Sequence, residues 1–142
     1  MANEITVTAA NVLLNSGSPE TSKNGGVAVT IGQVCYEDAT AKWQPAISNG
    51  TALQAGSTEL AISLNQVAAG GQLMAVAKSG TKIAFGSGVL SAGETYVVSN
   101  AVAGGIVPFS ELAASNYTSI IGYAQDTSIL VFSKIVTGIV RP

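Results

Sequence analysis

Apolar and polar residues alternate along this chain in short runs, and glycines break the runs. In EITVT, Ile5 and Val7 fall on one side and Thr6 and Thr8 on the other, the two-residue period of a half-buried strand. VAVTIGQVCY switches parity. Val27, Val29 and Ile31 are odd-numbered, Val34 and Tyr36 even, so one strand cannot keep all five on one face. Gly32 stands at the switch and predicts a bulge or tight bend. Glu37 to Lys42 makes a turn. Pro45, in WQPAIS, cannot donate to a central ladder and belongs on an edge or at a strand end. STELAISLNQVAAGG fits two periods. Leu60, Leu64 and Val67 suit a helix, whereas Leu60, Ile62 and Leu64 suit a strand, and Gly70–Gly71 suits a helix cap or a hairpin.

Further along, QLMAVAKSGTKIAFGSG reads as a hairpin around Ser79 and Gly80. ETYVVS places Tyr96 and Val98 on one face. FSELAASN suits one helical turn with Ser110 as N-cap. The last stretch, YTSIIGYAQDTSILVFSKIVTGIV, holds two or three strands. Ile129 to Phe132 is apolar on both faces and is expected at the centre of the core. NVLLNSGSPETSKNGG leaves regular structure, and within it Ser16 to Gly26, mostly small, polar or Gly, reads as a mobile loop.

The pattern predicts an all-β fold: a compact β-barrel or sandwich of short strands with Gly-rich turns and at most one or two short helical turns. Residues 1–26 form an N-terminal arm and 27–142 a single β domain. An internal repeat is suggested, with sub-units 27–85 and 86–142. Gly32 aligns with Gly93, Tyr36 lies near Tyr96, and Pro45 falls close to Pro108.

Composition adds a surface argument. Charged residues make up 10% of the chain, against about 25% in an average domain, and the net charge is -2. Six scattered Lys and Arg residues form no basic patch, so nucleic acid is not an expected direct partner. A weakly charged surface is more apt than most to be covered by another protein. One Cys permits no intrachain disulfide. The start MANEITVT lacks the cationic and apolar regions of a secretion signal, and no apolar run reaches the roughly 18 residues of a spanning helix. Synthesis in a cytosol and no membrane partner are expected.

Candidate chemistry is sparse. The chain has no His, the commonest general base and metal ligand, and one Cys cannot build a Cys-based zinc site. Ser79 and Lys82 spell S-x-x-K, but that nucleophile needs a helix start, and KSGTK reads as a turn. Glu37 and Asp38 would point to opposite faces of a strand. Asn49-Gly50-Thr51 and Asn116-Tyr117-Thr118 match the glycosylation acceptor and read as turns. No catalytic residue, cofactor or metal is expected. Trp43, Tyr36, Tyr96, Phe109, Tyr117 and Tyr123 are candidate contact anchors, because aromatic residues are enriched in interface cores.

The run VTIGQVCYEDATAKWQPA, followed by ISLNQVAAGGQLMAVAKSG, resembles the small capsid cement, or head decoration, proteins of tailed bacteriophages. In that family a Gly precedes a Val/Leu-x-Tyr strand, as Gly32, Val34 and Tyr36 do here. A later run of small residues, Leu and Ala-Ala leads into an alternating strand, as from Ser63 to Val76. The likeness spans Val27 to Gly80, with weaker matching to the C-terminus. Gln33, where the family has an acidic residue, and the long second half depart from it. The resemblance implies a non-enzymatic virion protein on the outer capsid surface. Its partner would be the major capsid protein, often bound by a homotrimer, and its role stabilisation of the head. The expected interface is Ile5, Val7, Val12, Leu13 and Leu14 of the arm, with Tyr36 and Trp43. The alternative is a soluble β-rich binding module, such as a fibre, adhesin or carbohydrate-binding domain, with Trp43 and the tyrosines lining a sugar platform.

Overall fold

The computed structural model describes residues 4–68 and 72–142. Among the described residues eleven strands form two antiparallel sheets packed as a sandwich, with no closed barrel. The five-stranded sheet runs, in spatial order, β2 (Glu20–Asn24), β6 (Leu73–Ala77), β5 (Leu60–Ser63), β3 (Val34–Glu37) and β4 (Trp43–Pro45). The six-stranded sheet runs β1 (Leu13–Ser16), β7 (Lys82–Ala84), β11 (Ile129–Val140), β10 (Tyr117–Ala124), β8 (Thr95–Val98) and β9 (Ile106–Pro108).

The suggested repeat has a counterpart in the topology. Strands β3 to β6 lie in the order β6-β5-β3-β4, and β8 to β11 in the order β11-β10-β8-β9. The hydrogen bonds match as well. Gly32 N–H reaches Ser63 O at 2.9 Å, and Gly93 N–H reaches Ala124 O at 2.8 Å. Ser63 N–H returns to Gln33 O, and Ala124 N–H to Glu94 O, both at 3.0 Å. The two sets stand at one constant separation in sequence. Both glycines have positive φ, +87° and +80°, so the bend before each first strand uses a conformation that side chains disfavour. Pro45 and Pro108 each end an edge strand, where a missing N–H costs no ladder bond.

The main core lies between the sheets. Val34, Leu60 and Ile62 face Tyr96, Ile121, Leu130 and Phe132 there. A second cluster sits on the outer face of the five-stranded sheet, where Cys35, Trp43 and Met74 pack under Val29 and Val67. Those two valines exchange main-chain bonds, at 3.1 and 3.0 Å, which holds the cover shut.

Several expectations give way to non-local pairing. Ser16 to Gly26 is not one loop: residues 17–19 lie outside the strands, but Glu20–Asn24 form a strand on β6, although ETSKN has no apolar face. Partner bonds and the 3.1 Å Lys78–Glu20 ion pair supply what its own pattern lacks. The described part of the expected arm is woven into the sandwich. Val12 is buried in the core, and β1 and β2 join opposite sheets. In EITVT, Ile5 and Val7 are half-buried while Thr6 and Thr8 are exposed, and it forms no strand; the 2.9 Å bond from Ile5 N–H to Ile106 O and the bond from Ser99 Oγ–H to the Glu4 carboxylate tie it to the sheet. The expected hairpin around Ser79–Gly80 is a corner instead, because β6 and β7 belong to different sheets. The 3-10 turn Phe109–Glu111 has Pro108, not Ser110, at its cap position. Leu60–Ser63 takes the strand alternative, and Gly70–Gly71 lies outside the described residues.

The turn between β3 and β4 is built on Asp38. Its carboxylate accepts from Thr40 N–H and Oγ1–H, Lys42 N–H and the Gln44 amide, at 2.7 to 3.0 Å. Burial pushes this carboxyl up, but those four bonds outweigh it and hold the pKa at about 2. An unfolded Asp titrates near 3.9. The folded value is depressed, so its contribution is present above about pH 4 and is lost as pH falls toward about 2. Urea unfolding across that range is expected to show Asp38→Asn losing less stability than the parent. Parallel curves would remove Asp38 as a source of the acid limb.

Candidate interaction surface

The outer face of the six-stranded sheet follows from its register. Leu13 stands opposite Ala84, Ala84 opposite Ile129, Val131 opposite Tyr123, and Ile120 opposite both Ile135 and Val97. Partners across a ladder share a face, so these side chains all point away from the core. One end of the face is covered, where Val97, Val107 and Ile120 pack under Leu112 just after the 3-10 turn. The remainder is open. Leu13 is 64% exposed, Tyr123 49% and Ile135 57%.

Tyr123 and Ile135 flank a groove of about 330 Å³, completed by Thr95, Ile120, Gly122 and Ser133. Its position depends on a bulge. Both ladders of β10 shift register between Ile120 and Gly122, so Gly122 faces Phe132 and Tyr96. Beyond Val131, β11 leaves β7 and keeps β10 alone. Among the described residues no strand pairs with the other edge of its last part, which exposes Ile139 and Val140. An open edge carrying apolar side chains is a template for another chain.

Charge is held elsewhere. Lys78 bridges Glu20 at 3.1 Å and Glu59 at 2.9 Å, and Lys134 pairs with Glu59, which ties β11 to the start of β5. Burial raises the Glu59 carboxyl, and the bonds from Lys134 and Lys78 outweigh that and lower it. Lys23 lies 4.0 Å from Glu37. On the open face Lys82 is the charged residue, and its ammonium reaches Gln125 Oε1 at 2.8 Å. A second cleft, of about 570 Å³ by Asn100 and Arg141, is the more polar one, and the Arg141 guanidinium there is spent on Leu112 O and the Phe109 ring.

The residues expected from sequence as an interface scatter. Leu13 lies on the open face. Ile5, Val7, Leu14 and Tyr36 are half-buried against the main core, and Val12 is inside it. Trp43 is 1% exposed, beneath Lys23 and Lys78 at 5.4 and 5.7 Å from its ring, so it offers no stacking platform for a sugar. Tyr96 is buried, whereas Tyr123 and Phe109 are exposed. Ile135 had no sequence signal of its own. Ile129 to Phe132 divides, Leu130 and Phe132 turning inward and Ile129 and Val131 outward. Ser79 and Lys82 make separate contacts: Ser79 Oγ accepts from Lys134 N–H, and Lys82 turns to Gln125. Compared with known protein families, curated proteins and solved structures, the chain matches none.

Proposed function

We propose that this chain is a non-enzymatic structural protein that binds the outer surface of an assembled bacteriophage capsid and stabilises it. The open, nearly uncharged face around Tyr123 and Ile135 carries this reading, with the resemblance in Val27 to Gly80 naming the class of target. An aromatic anchor beside a groove is the kind of centre that dominates binding energy. The free edge of β11 adds main-chain bonds that tolerate variation in the partner's sequence. The major capsid protein is the partner, and copies gathered as trimers gain avidity from many weak contacts.

The test is binding to heads assembled from the capsid protein of the same phage. A Tyr123→Ser/Ile135→Ser variant is expected to keep its melting temperature and to bind at least roughly tenfold more weakly, since a truncated anchor costs about 2 kcal/mol or more. Equal binding by the variant would remove the face. Heads that withstand heat and low salt equally well without the protein would remove the stabilising role.

A further inference from the structure

The chain contains two Asn-Gly pairs, and the fold treats them oppositely. Asn24 ends β2, paired with Leu73. Gly25 is buried, and its N–H donates to Gln72 O at 2.9 Å. A side chain added at Gly25 would meet Val67 Cγ2 at 2.7 Å inside the fold, whereas one added at Gly50 would meet the flexible end of the Gln54 side chain, so burial rather than crowding separates the two glycines. Asn49 and Gly50 are both exposed, in a bend after β4. Among the described residues nothing accepts from the Gly50 N–H, because the nearby Gln54 Oε1 takes the Thr51 N–H instead. A single bond restrains the Asn49 side chain, its amide donating to Asn100 O at 2.8 Å.

We propose that Asn49 is a site of spontaneous deamidation and that Asn24 is protected from it by the fold. The Gly50 nitrogen, having lost its proton to solvent, attacks Cγ of Asn49. A C–N bond forms to close a five-membered succinimide, the bond from Cγ to the side-chain nitrogen breaks, and ammonia leaves with a proton from solvent. Water then opens the ring at either carbonyl, giving aspartate or isoaspartate. Glycine at the second position leaves the attacking nitrogen unhindered, and at Gly50 no acceptor among the described residues holds that N–H, so attack breaks no hydrogen bond to them. At Gly25 the nitrogen lies inside a ladder and needs local unfolding first.

The product changes the junction it sits in. The donor to Asn100 O is replaced by a carboxylate oxygen, so two acceptors meet. Isoaspartate also lengthens the main chain by one carbon beside Ser48, whose N–H holds Ser99 O at 3.0 Å and whose carbonyl takes the Tyr117 N–H at 2.9 Å. Conversion therefore loosens the connection between β4 and β5 from the start of β10.

Peptide mapping by mass spectrometry after warming the full chain in mildly alkaline buffer, folded and in denaturant, tests this. Both sites are expected to convert at similar rates in denaturant. In the folded protein Asn49 is expected to convert at least roughly ten times faster than Asn24, since opening a paired strand is unfavourable by more than that factor. Equal survival of the two sites in the folded protein, whether both intact or both converted, overturns the proposal.

Discussion

Replacing Gly122 by alanine is expected to cost roughly 4 kcal/mol or more, beyond the 1–3 kcal/mol of ordinary overpacking. A Cβ there would lie 1.9 Å from Val131 O, 3.0 Å from Val131 C and 3.1 Å from Ser133 N. All three are main-chain atoms of β11, so no rotamer change relieves the clash. Relief requires β10 and β11 to separate at the centre of the six-stranded sheet, where Ile121, Leu130 and Phe132 enter the core. Gly80→Ala is the control. Its φ is +99° with nothing within 4 Å of the added carbon, so it carries only left-handed strain, about 1–2 kcal/mol. Urea unfolding of both variants decides the matter. If Gly122→Ala were no less stable than Gly80→Ala, the bulge that shapes the groove would be placed incorrectly.

Trp43→Ala is expected to cost about 3–5 kcal/mol, the range for emptying a buried aromatic site. That is a large share of the roughly 5–15 kcal/mol that holds a domain folded. The ring is enclosed by Cys35, Ala61, Val67, Met74 and Val76, with Lys23 and Lys78 across its outer side. Trp43 is the chain's one tryptophan, so fluorescence reports its burial directly. The folded protein is expected to emit at short wavelength and to shift red in one step with unfolding. A Trp43→Ala protein that melted like the parent but lost binding would make Trp43 a contact residue, as its aromatic character alone suggested.

The contrast between Trp43 and Tyr123 explains how far the site was legible. Both are aromatic residues in strands, Trp43 between Lys42 and Gln44 and Tyr123 between Gly122 and Ala124, and a two-residue period says only that a side chain leaves one face of its sheet. The face beneath Trp43 is covered by the segments carrying Val29 and Val67, which come from elsewhere in the chain. Among the described residues, the face bearing Tyr123 is covered only at the end near Leu112. Burial of a given aromatic residue therefore depends on what the rest of the chain lays over it. The same holds for Ile129 and Val131, whose apolar character implied the core and which instead line the outer side.

Local sterics made other features readable in advance. Gly32 and Gly93 bend the chain before β3 and β8 because positive φ disfavours a side chain, and this needs no knowledge of partners. Pro45 and Pro108 fall on edges because proline lacks a donor. Tyr96 and Val98 share the buried face because alternation is a property of the extended backbone. Those signals were sufficient for an all-β chain of short strands, and the matching turn residues anticipated the recurring strand order. Pairing was beyond them. Leu73–Ala77 and Lys82–Ala84 sit five residues apart and go to different sheets, and polar ETSKN becomes a strand because β6 presents it an edge. Ladder partners come from distant segments, so only the assembled sandwich selects them, and with them the face left open to solvent.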